Sequence, residues 1–391
     1  MDRRERLIAR ARQGFRLAYG VDPTRFVSAP GRVNLIGDYL GASDGYALPC
    51  AIEHDTIIAM GPPSKDAQHP VFEAVAIDMG SARDRFDLVG LVLKGDNNWQ
   101  NHVRGVVQAL GRYGQRVKPM RIAIAGDVPI GAGFSSSAAL GVAVALACSD
   151  QSGLSLSPEM LARVAQAARQ DFVGASGTIM DAMAAAASTA GNALLLDCRT
   201  LQHMPIPIHP ALVITVIDTG LRRDPSSGAL EQRRDECGAA AVHYGVKSLR
   251  DLTMDALESR RAGLDERIYA RARHVVSEQE RVEPVAVALA QGNTAALADL
   301  MREAHTSLAQ DFEVSLPLID QLAGLVGAAL GTAGGVRLSG SVFGGSLVAL
   351  CDHAAIPAID DAVALYNAEA DLPARAEQLS ACNGAAPITI K

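Results

Sequence analysis

The sequence predicts an α+β fold, and three observations carry that expectation. Strand-like and helix-like segments mix along the chain without a regular βα alternation, which argues against a doubly wound sheet. A glycine- and serine-rich stretch, Asp127-Val-Pro-Ile-Gly-Ala-Gly-Phe-Ser-Ser-Ser-Ala-Ala-Leu140, stands between a strand-like run and a buried helical one. A further glycine-rich stretch, Gly335 to Leu350, reads as a turn feeding a strand. At 391 residues the chain has room for two or so domains with real cores.

The elements follow from periodicity. Residues 4–19 place Leu7, Ile8, Ala11, Phe15 and Leu17 at helical spacing among charges, so an amphipathic helix opens the chain. A Pro30-Gly31 break precedes a strand-like run through Val33, Leu35 and Ile36. The polar turn Asp38–Gly45 then returns into apolar 46–52. Residues 56–60, 71–77 and 85–93 read as strands, and Asn98 opens a helix. Residues 121–126 read as the strand before the glycine-serine loop, and 138–148 as the helix after it. Helices are expected over 158–169, after Gly177 and through most of 228–310. Strands are expected over 191–198, 212–218 and 386–390.

Composition removes several function classes. A net charge of -7 without a dense basic run argues against a general nucleic-acid binder. No apolar run approaches the roughly 20 residues that cross a bilayer, and the charged N-terminus lacks a secretory core. Six scattered cysteines form neither a CxxC pair nor a zinc spacing, so free thiols in a reducing cytoplasm are expected.

The glycine-serine loop is the chemical centre of the sequence. Gly131 and Gly133 let the backbone approach a ligand, and the first helical turn offers free N–H groups to a phosphate. Ser135, Ser136 and Ser137 add hydroxyls for phosphate or a metal. The same residues also suit an ordinary helix N-cap. A Walker A motif needs a lysine that is absent here, and the kinase-type G-x-G-x-x-G is missing as well.

Three stretches in order resemble the motifs of the GHMP small-molecule kinases, in their galactokinase branch: Ala29-Pro-Gly-Arg-Val-Asn-Leu-Ile-Gly37, Pro129 to Ala139, and Val336-Arg-Leu-Ser-Gly-Ser-Val-Phe-Gly-Gly345. Ile217–Gly220, Arg233–Cys237, Ala272–Val276 and Asp311–Ser315 agree with that branch too. The resemblance covers nearly the whole chain. It implies an N-terminal ribosomal-protein S5-like domain, expected over 1–191, and a C-terminal ferredoxin-like domain over 192–391. ATP and a sugar would meet between them, with Mg²⁺, and the γ-phosphoryl group would pass to a sugar hydroxyl, the anomeric one in galactokinases.

By that resemblance Asp181 is the catalytic carboxylate and Arg32 the cation that holds it ionised and stabilises the transferred group. Without it, Asp181 reads as a helix N-terminal acid and Arg32 as a strand arginine. Asp38, Tyr39, Asp44 and Gly177 would face the sugar. Gly131, Gly133, the three serines, Gly344 and Gly345 would cradle the nucleotide, and Ser137 would help hold the metal. Trp99 fits two readings, a core residue or an aromatic wall beside the adenine. The expected molecule is a monomer or weak oligomer.

The sequence also departs from the family. Asp38-Tyr39-Leu40-Gly41 stands where galactokinases carry Glu-His-Thr-Asp, Leu230 replaces a tyrosine that contacts sugar, and Ala182 replaces a glutamine. Arg169 stands at the position of a Mg²⁺-binding glutamate, which an arginine cannot replace. Asp171, two residues on, is the candidate substitute, although it lies on another helix face. Ser341-Val342 replaces a small Ala-Gly pair after Gly340. These changes put galactose in question as substrate. They also raise an alternative, a non-catalytic relative that binds sugar or nucleotide and signals to a partner. A kinase for a non-sugar alcohol is the weaker third reading.

Overall fold

The computed structural model describes residues 2–64, 69–175, 177–222, 228–340 and 343–389. In chain order it runs α1 (Arg3–Tyr19), β1 (Arg25–Asn34), β2 (Tyr46–Ala47), β3 (Pro49–Gly61), β4 (Val71–Ala76), β5 (Ala82–Asp87), α2 (Asn98–Arg112) and β6 (Met120–Gly126). Then come α3 (Ser136–Ser152), α4 (Pro158–Ala167), α5 (Ile179–Ala187), β7 (Asn192–Asp197), β8 (His203–Pro207) and β9 (Leu212–Asp218). The remainder is α6 (Ala229–Tyr244), α7 (Met254–Ser259), α8 (Glu266–Gln291), α9 (Thr294–Gln310), α10 (Pro317–Leu330), β10 (Gly334–Ser339), β11 (Ser346–Asp352), α11 (Ile356–Asn367), β12 (Arg375–Leu379) and β13 (Ala386–Ile388). The α+β class read from the sequence is the observed one.

The strands form three sheets. The largest runs β13-β1-β3-β6-β4-β5, the second β10-β11-β9-β12, and a small third one β2-β7-β8. All neighbours are antiparallel except β4 and β6. On one face of the first sheet, α1 buries Leu7, Ala11 and Phe15 against Ile57, Val75 and Ala123. On the other, the alanine- and valine-rich α3 packs with α2, α4 and α5. Helix α3 is apolar all round and accordingly lies in the interior.

One core cluster joins the two halves of the chain: Val33, Leu35, Leu40 and Leu48 share it with Ile217, Leu308, Phe312 and Leu347. The turn between β1 and β2 is further braced by α8, where Glu278 accepts from the Gly37 N–H at 3.0 Å and Gln279 from the Tyr46 N–H at 2.9 Å. The division at residue 191 falls in the turn before β7. Sheet pairing crosses it twice, because β2 pairs with β7 and β13 returns to β1. A division there remains our proposal for the N- and C-terminal units.

Several boundaries differ from the sequence expectation for identifiable reasons. The strand expected over 85–93 is β5 and stops at Asp87, where Gly90 takes φ 86° in the following turn. The run expected to stay helical to Arg169 leaves the α-helix after Ala167, and 168–173 form one wider π turn ending at Gly174 (φ 80°). Residues 335–339 are not a turn but most of β10, paired across to β11. Strand β13 ends at Ile388, and Ile390 lies outside the described residues. Helices α10 and α11 and strands β8 and β12 lie where no strand or helix was expected. Strand β8 is short, largely exposed and carries two prolines, so its alternation is hidden.

Candidate active site

The site begins with an irregularity in β1. Its register against β3 shifts between Pro30 (opposite Asp55) and Arg32 (opposite Ala51), a bulge that re-aims the strand. Gly31 is required there, because a Cβ would sit 2.8 Å from Val128 Cγ1 and 2.9 Å from the Phe134 carbonyl oxygen. The bulge brings the Arg32 N–H to the Phe134 carbonyl at 3.0 Å. It also turns the buried guanidinium toward α5 and the glycine-serine loop.

There Arg32 Nε donates to Oδ1 of Asp181 at 2.9 Å, Nη2 donates to the same oxygen, and Nη1 donates to the Gly133 carbonyl at 2.5 Å. Arg169 approaches from the other side, its Nη1 donating to Asp181 Oδ2 at 3.0 Å. Asp181 lies in the first turn of α5 and is 7% exposed. Burial alone pushes its carboxyl up. Arg32 and Arg169 outweigh burial, aided by a hydrogen bond from Ser135, and hold the carboxyl below the usual carboxylate range. The geometry therefore unites Arg32, Asp181, Gly133 and Ser135, which the sequence scatters over 149 residues.

The loop itself has both properties read from the sequence. Ser135 is the N-cap of α3, in the left-handed conformation (φ 58°) and without a side-chain capping bond, so its hydroxyl is left for Asp181. Ser136 and Ser137 form the first turn, whose N–H groups lack carbonyl partners within the helix. The third glycine-rich stretch closes over this loop. At Gly340 (φ 80°) a Cβ would meet the Gly133 carbonyl oxygen at 2.7 Å and Arg32 Nη1 at 3.1 Å. Ser346 Oγ donates to the Ala132 carbonyl at 2.8 Å. Gly344 and Gly345 are buried, and the Gly345 carbonyl accepts from Thr219 Oγ1 at 2.6 Å. Gly345 lies next to the loop, its Cα 3.9 Å from a Cβ built on Gly133. The substitution at Ser341-Val342 lies outside the described residues.

Beside Asp181 opens a cavity of about 470 Å³ whose lining includes Tyr39, Gly41, Asp44, Gly177, Thr178, Leu230 and Phe312. Tyr39 adopts φ 65° and packs its ring on Phe312 at 5.1 Å. Asp44 is half exposed, with Arg199 at 3.5 Å. The Gly177 carbonyl accepts from Gln170 at 2.9 Å, and a Cβ on Gly177 would lie 2.5 Å from the Arg169 guanidinium. Three of the four expected sugar-facing residues thus line this cavity.

Asp38 does not. It is 3% exposed, and its carboxylate accepts from Arg337 at 2.8 Å and from the Gly340 N–H at 3.2 Å. Burial raises its pKa, with Arg337 opposing. Arg337 also pairs with the fully buried Glu278 at 3.1 Å, and Glu278 with Arg281. Although burial acts to raise it, Arg337 and Arg281 bring Glu278 down to about 2. Shortening glutamate to aspartate at position 38 leaves the carboxylate inside this brace. Trp99 is half-buried at the start of α2 and packs against the helical core.

The donors for a divalent cation are few. Among the described residues no group of three or more His, Cys, Asp or Glu is placed to hold one. Both Asp181 oxygens face arginines, and Asp171, expected as a substitute, pairs with Arg112 at 2.8 Å. Of the expected metal ligands that leaves the Ser137 hydroxyl, and the described residues do not build a Mg²⁺ cage of their own.

Sequence reasoning singled out Arg169 but missed its contact with Asp181. The two are only 12 residues apart, and the π turn between them folds one back on the other. It missed the Glu278–Arg337 brace altogether. Arg337 sits inside a quoted motif, so a lone arginine within an apolar strand was the available signal.

A fold with a glycine-serine loop, an arginine-aspartate pair and an adjoining cavity defines a small-molecule phosphotransferase, and comparison with known proteins agrees. The family model for the GHMP kinases N terminal domain matches residues 101–189, that for the GHMP kinases C terminal domain matches 285–368, and the galactokinase galactose-binding signature matches 13–62. The structure of Lactococcus lactis galactokinase complexed with galactose superposes with a TM-score of 0.89 at 25% identity, covering 96% of this chain and 98% of that one. Methanococcus jannaschii mevalonate kinase shares the fold at 15% identity (TM-score 0.65, 92% and 98% covered). So does Streptococcus pneumoniae phosphomevalonate kinase in complex with phosphomevalonate and AMPPNP, at 16% (0.63, 90% and 99%). The chain belongs to the GHMP kinases, with their N- and C-terminal domains. Within them it is a galactokinase-like sugar kinase.

Proposed function

We propose that the protein transfers the γ-phosphoryl group of ATP to a hydroxyl, the anomeric one, of a monosaccharide related to galactose. The observation that carries this reading is the position of the Arg32–Asp181 pair, bonded to the glycine-serine loop on one side, with Gly177, Thr178 and Ile179, the residues leading to Asp181, lining the cavity on the other. Phosphoryl transfer asks mainly for positioning and charge stabilisation. The loop N–H groups and the serine hydroxyls bind the triphosphate. Asp181, kept ionised, orients the sugar hydroxyl and accepts its proton, and Arg32 counters charge growing on the transferred group. The family employs ATP, and Mg²⁺ would arrive with the triphosphate, with Ser137 the hydroxyl this chain offers it. We place the enzyme in the cytoplasm as a monomer or weak oligomer. Among the described residues no helix is long and apolar enough to cross a membrane.

The test is ATP consumption by the purified protein against a monosaccharide panel that includes galactose, with Asp181→Ala as control. Turnover that vanishes in the variant supports the reading, and binding of ATP and sugar without turnover overturns it. Arg169 favours the second, non-catalytic reading, because it occupies the carboxylate oxygen that Arg32 leaves open. Steady turnover dependent on Asp181 would remove that alternative.

A further inference from the structure

The cavity beside Asp181 is strongly basic in a protein whose net charge is -7. Five cations line it, Arg163, Arg199, Arg233, Arg234 and Lys247, against one carboxylate, Asp44. Two of the five are offset. Arg233 is buried and faces Glu236 at 3.3 Å and Glu313 at 3.7 Å. Arg199 pairs with Asp251 at 2.9 Å and Asp44 at 3.5 Å. Arg163, Arg234 and Lys247 have no carboxylate within ion-pair distance among the described residues. Glu159, one turn before Arg163, lies beyond that distance, though Arg163 is one of the groups that lower its carboxyl pKa, and both line a neighbouring cavity. Among the described residues Arg234 donates to the Gly177 carbonyl, at 3.4 Å.

These cations are not placed for the nucleotide. The cavity lining contains no residue of the 131–137 loop and none of the described residues of the third glycine-rich stretch. Arg222, whose Cδ would lie 3.3 Å from a Cβ on Gly131, is already bound to Asp218 at 2.6 Å. Uncharged polar groups that suit a neutral sugar line the cavity too, Ser43, Gln166, Gln170 and Thr178 among them, so the charge on the wall is what sets it apart. Leu230 is apolar, and at Gly41 any Cβ would sit 2.9 Å from Thr178 Cβ, so Thr178 bars a longer side chain there. Concave, like-charged walls concentrate counter-charged ligands, and arginine and lysine bind carboxylate and phosphate oxygens through charge-assisted bonds.

We propose that the cavity takes a monosaccharide bearing a second, anionic group, a carboxylate or a phosphate ester, held by Arg163, Arg234 and Lys247. The inference rests on the sugar-kinase reading of the site. The reacting hydroxyl faces Asp181 while the anion meets the basic wall. The transfer balances as in any sugar kinase: the hydroxyl oxygen bonds to the γ-phosphorus, the bond to the β,γ-bridging oxygen breaks, and the hydroxyl proton leaves through Asp181.

The experiment uses the full chain and two independent readouts. Calorimetric titrations measure binding of D-galactose, D-galacturonate and D-galactose 6-phosphate, and coupled assays measure ATP turnover with each. At least one anionic sugar is expected to bind on the order of tenfold or more tighter than galactose, an advantage that added salt erodes. Whichever anion binds identifies carboxylate or phosphate as the group read. Lys247→Ala should cut the ratio of anionic to neutral affinity by about tenfold, as loss of one charge-assisted contact would, and Lys247→Arg should keep it. Tight anionic binding without turnover supports this inference and overturns the kinase reading. Turnover of galactose with no preference for the anionic sugars overturns the inference and leaves the kinase reading standing. No sugar bound at all overturns both.

Discussion

Arg169 donates to Oδ2 of Asp181 at 3.0 Å, while Arg32 holds Oδ1, so the carboxylate is clasped between two guanidinium groups. Both contacts stabilise the charged form. Because the folded pKa lies below the ordinary aspartate value, the stability this gives is complete above about pH 4 and is lost as pH falls through the folded pKa. Removing one cation raises that pKa. Arg169→Gln is therefore expected to move the acid limb of the pH–rate profile to higher pH. An unchanged limb would show that Arg169 does not govern the charge on Asp181.

Asp181→Ala is expected to abolish phosphoryl transfer and also to weaken the fold, since it strands two arginines. Breaking a buried pair costs about 3–5 kcal/mol, and the part-exposed Arg169 places the loss toward the lower end. Asp181→Asn keeps the shape and should lose turnover with a smaller fall in melting temperature. Turnover and thermal denaturation measured together separate the two effects.

Gly340→Ala tests the closure over the phosphate loop. The new methyl group meets the Gly133 carbonyl at 2.7 Å in a backbone that favours glycine. Overpacking of this kind costs about 1–3 kcal/mol, and the displacement falls on the loop. ATP affinity is expected to drop by about tenfold, measurable by nucleotide titration.

Glu278 and Asp38 share Arg337 but should answer differently to neutral replacement. Glu278 is drawn down to about 2, so its contribution is full above about pH 4.3 and is lost between there and pH 2. Asp38 is raised, so its charged form is disfavoured by the fold and the penalty disappears as pH falls below its unfolded value. Glu278→Gln is expected to destabilise by several kcal/mol at neutral pH and Asp38→Asn by clearly less. Chemical denaturation at pH 7 and pH 3 checks both order and sign.

The fold was legible where local pattern and tertiary role agree. Residues 212–218 form β9 as expected, and the glycine-serine loop stands between β6 and α3 as read. The family motifs located Arg32, Asp181, Tyr39, Asp44 and Gly177 in one neighbourhood. What stayed hidden depends on side chains meeting across the fold. Asp38 passes in sequence for a sugar ligand, and only the brace of Arg337 and Glu278 removes it from the cavity. Arg163 and Lys247 look like ordinary surface charges until α4 and the turn after α6 face one hollow. Polar edge strands such as β12 carry little periodicity to read.

Strand β13 has a consequence for how the first sheet is closed. Residues 386–388 pair with 26–28, so one edge of that sheet is supplied by residues far along the chain from the strand they cover. Until the two meet, β1 presents an open edge, the kind of surface that recruits stray strands and holdase chaperones. Pairing so distant in sequence is slow to form, because loop closure precedes its reward. Loss of β13 would leave that edge bare.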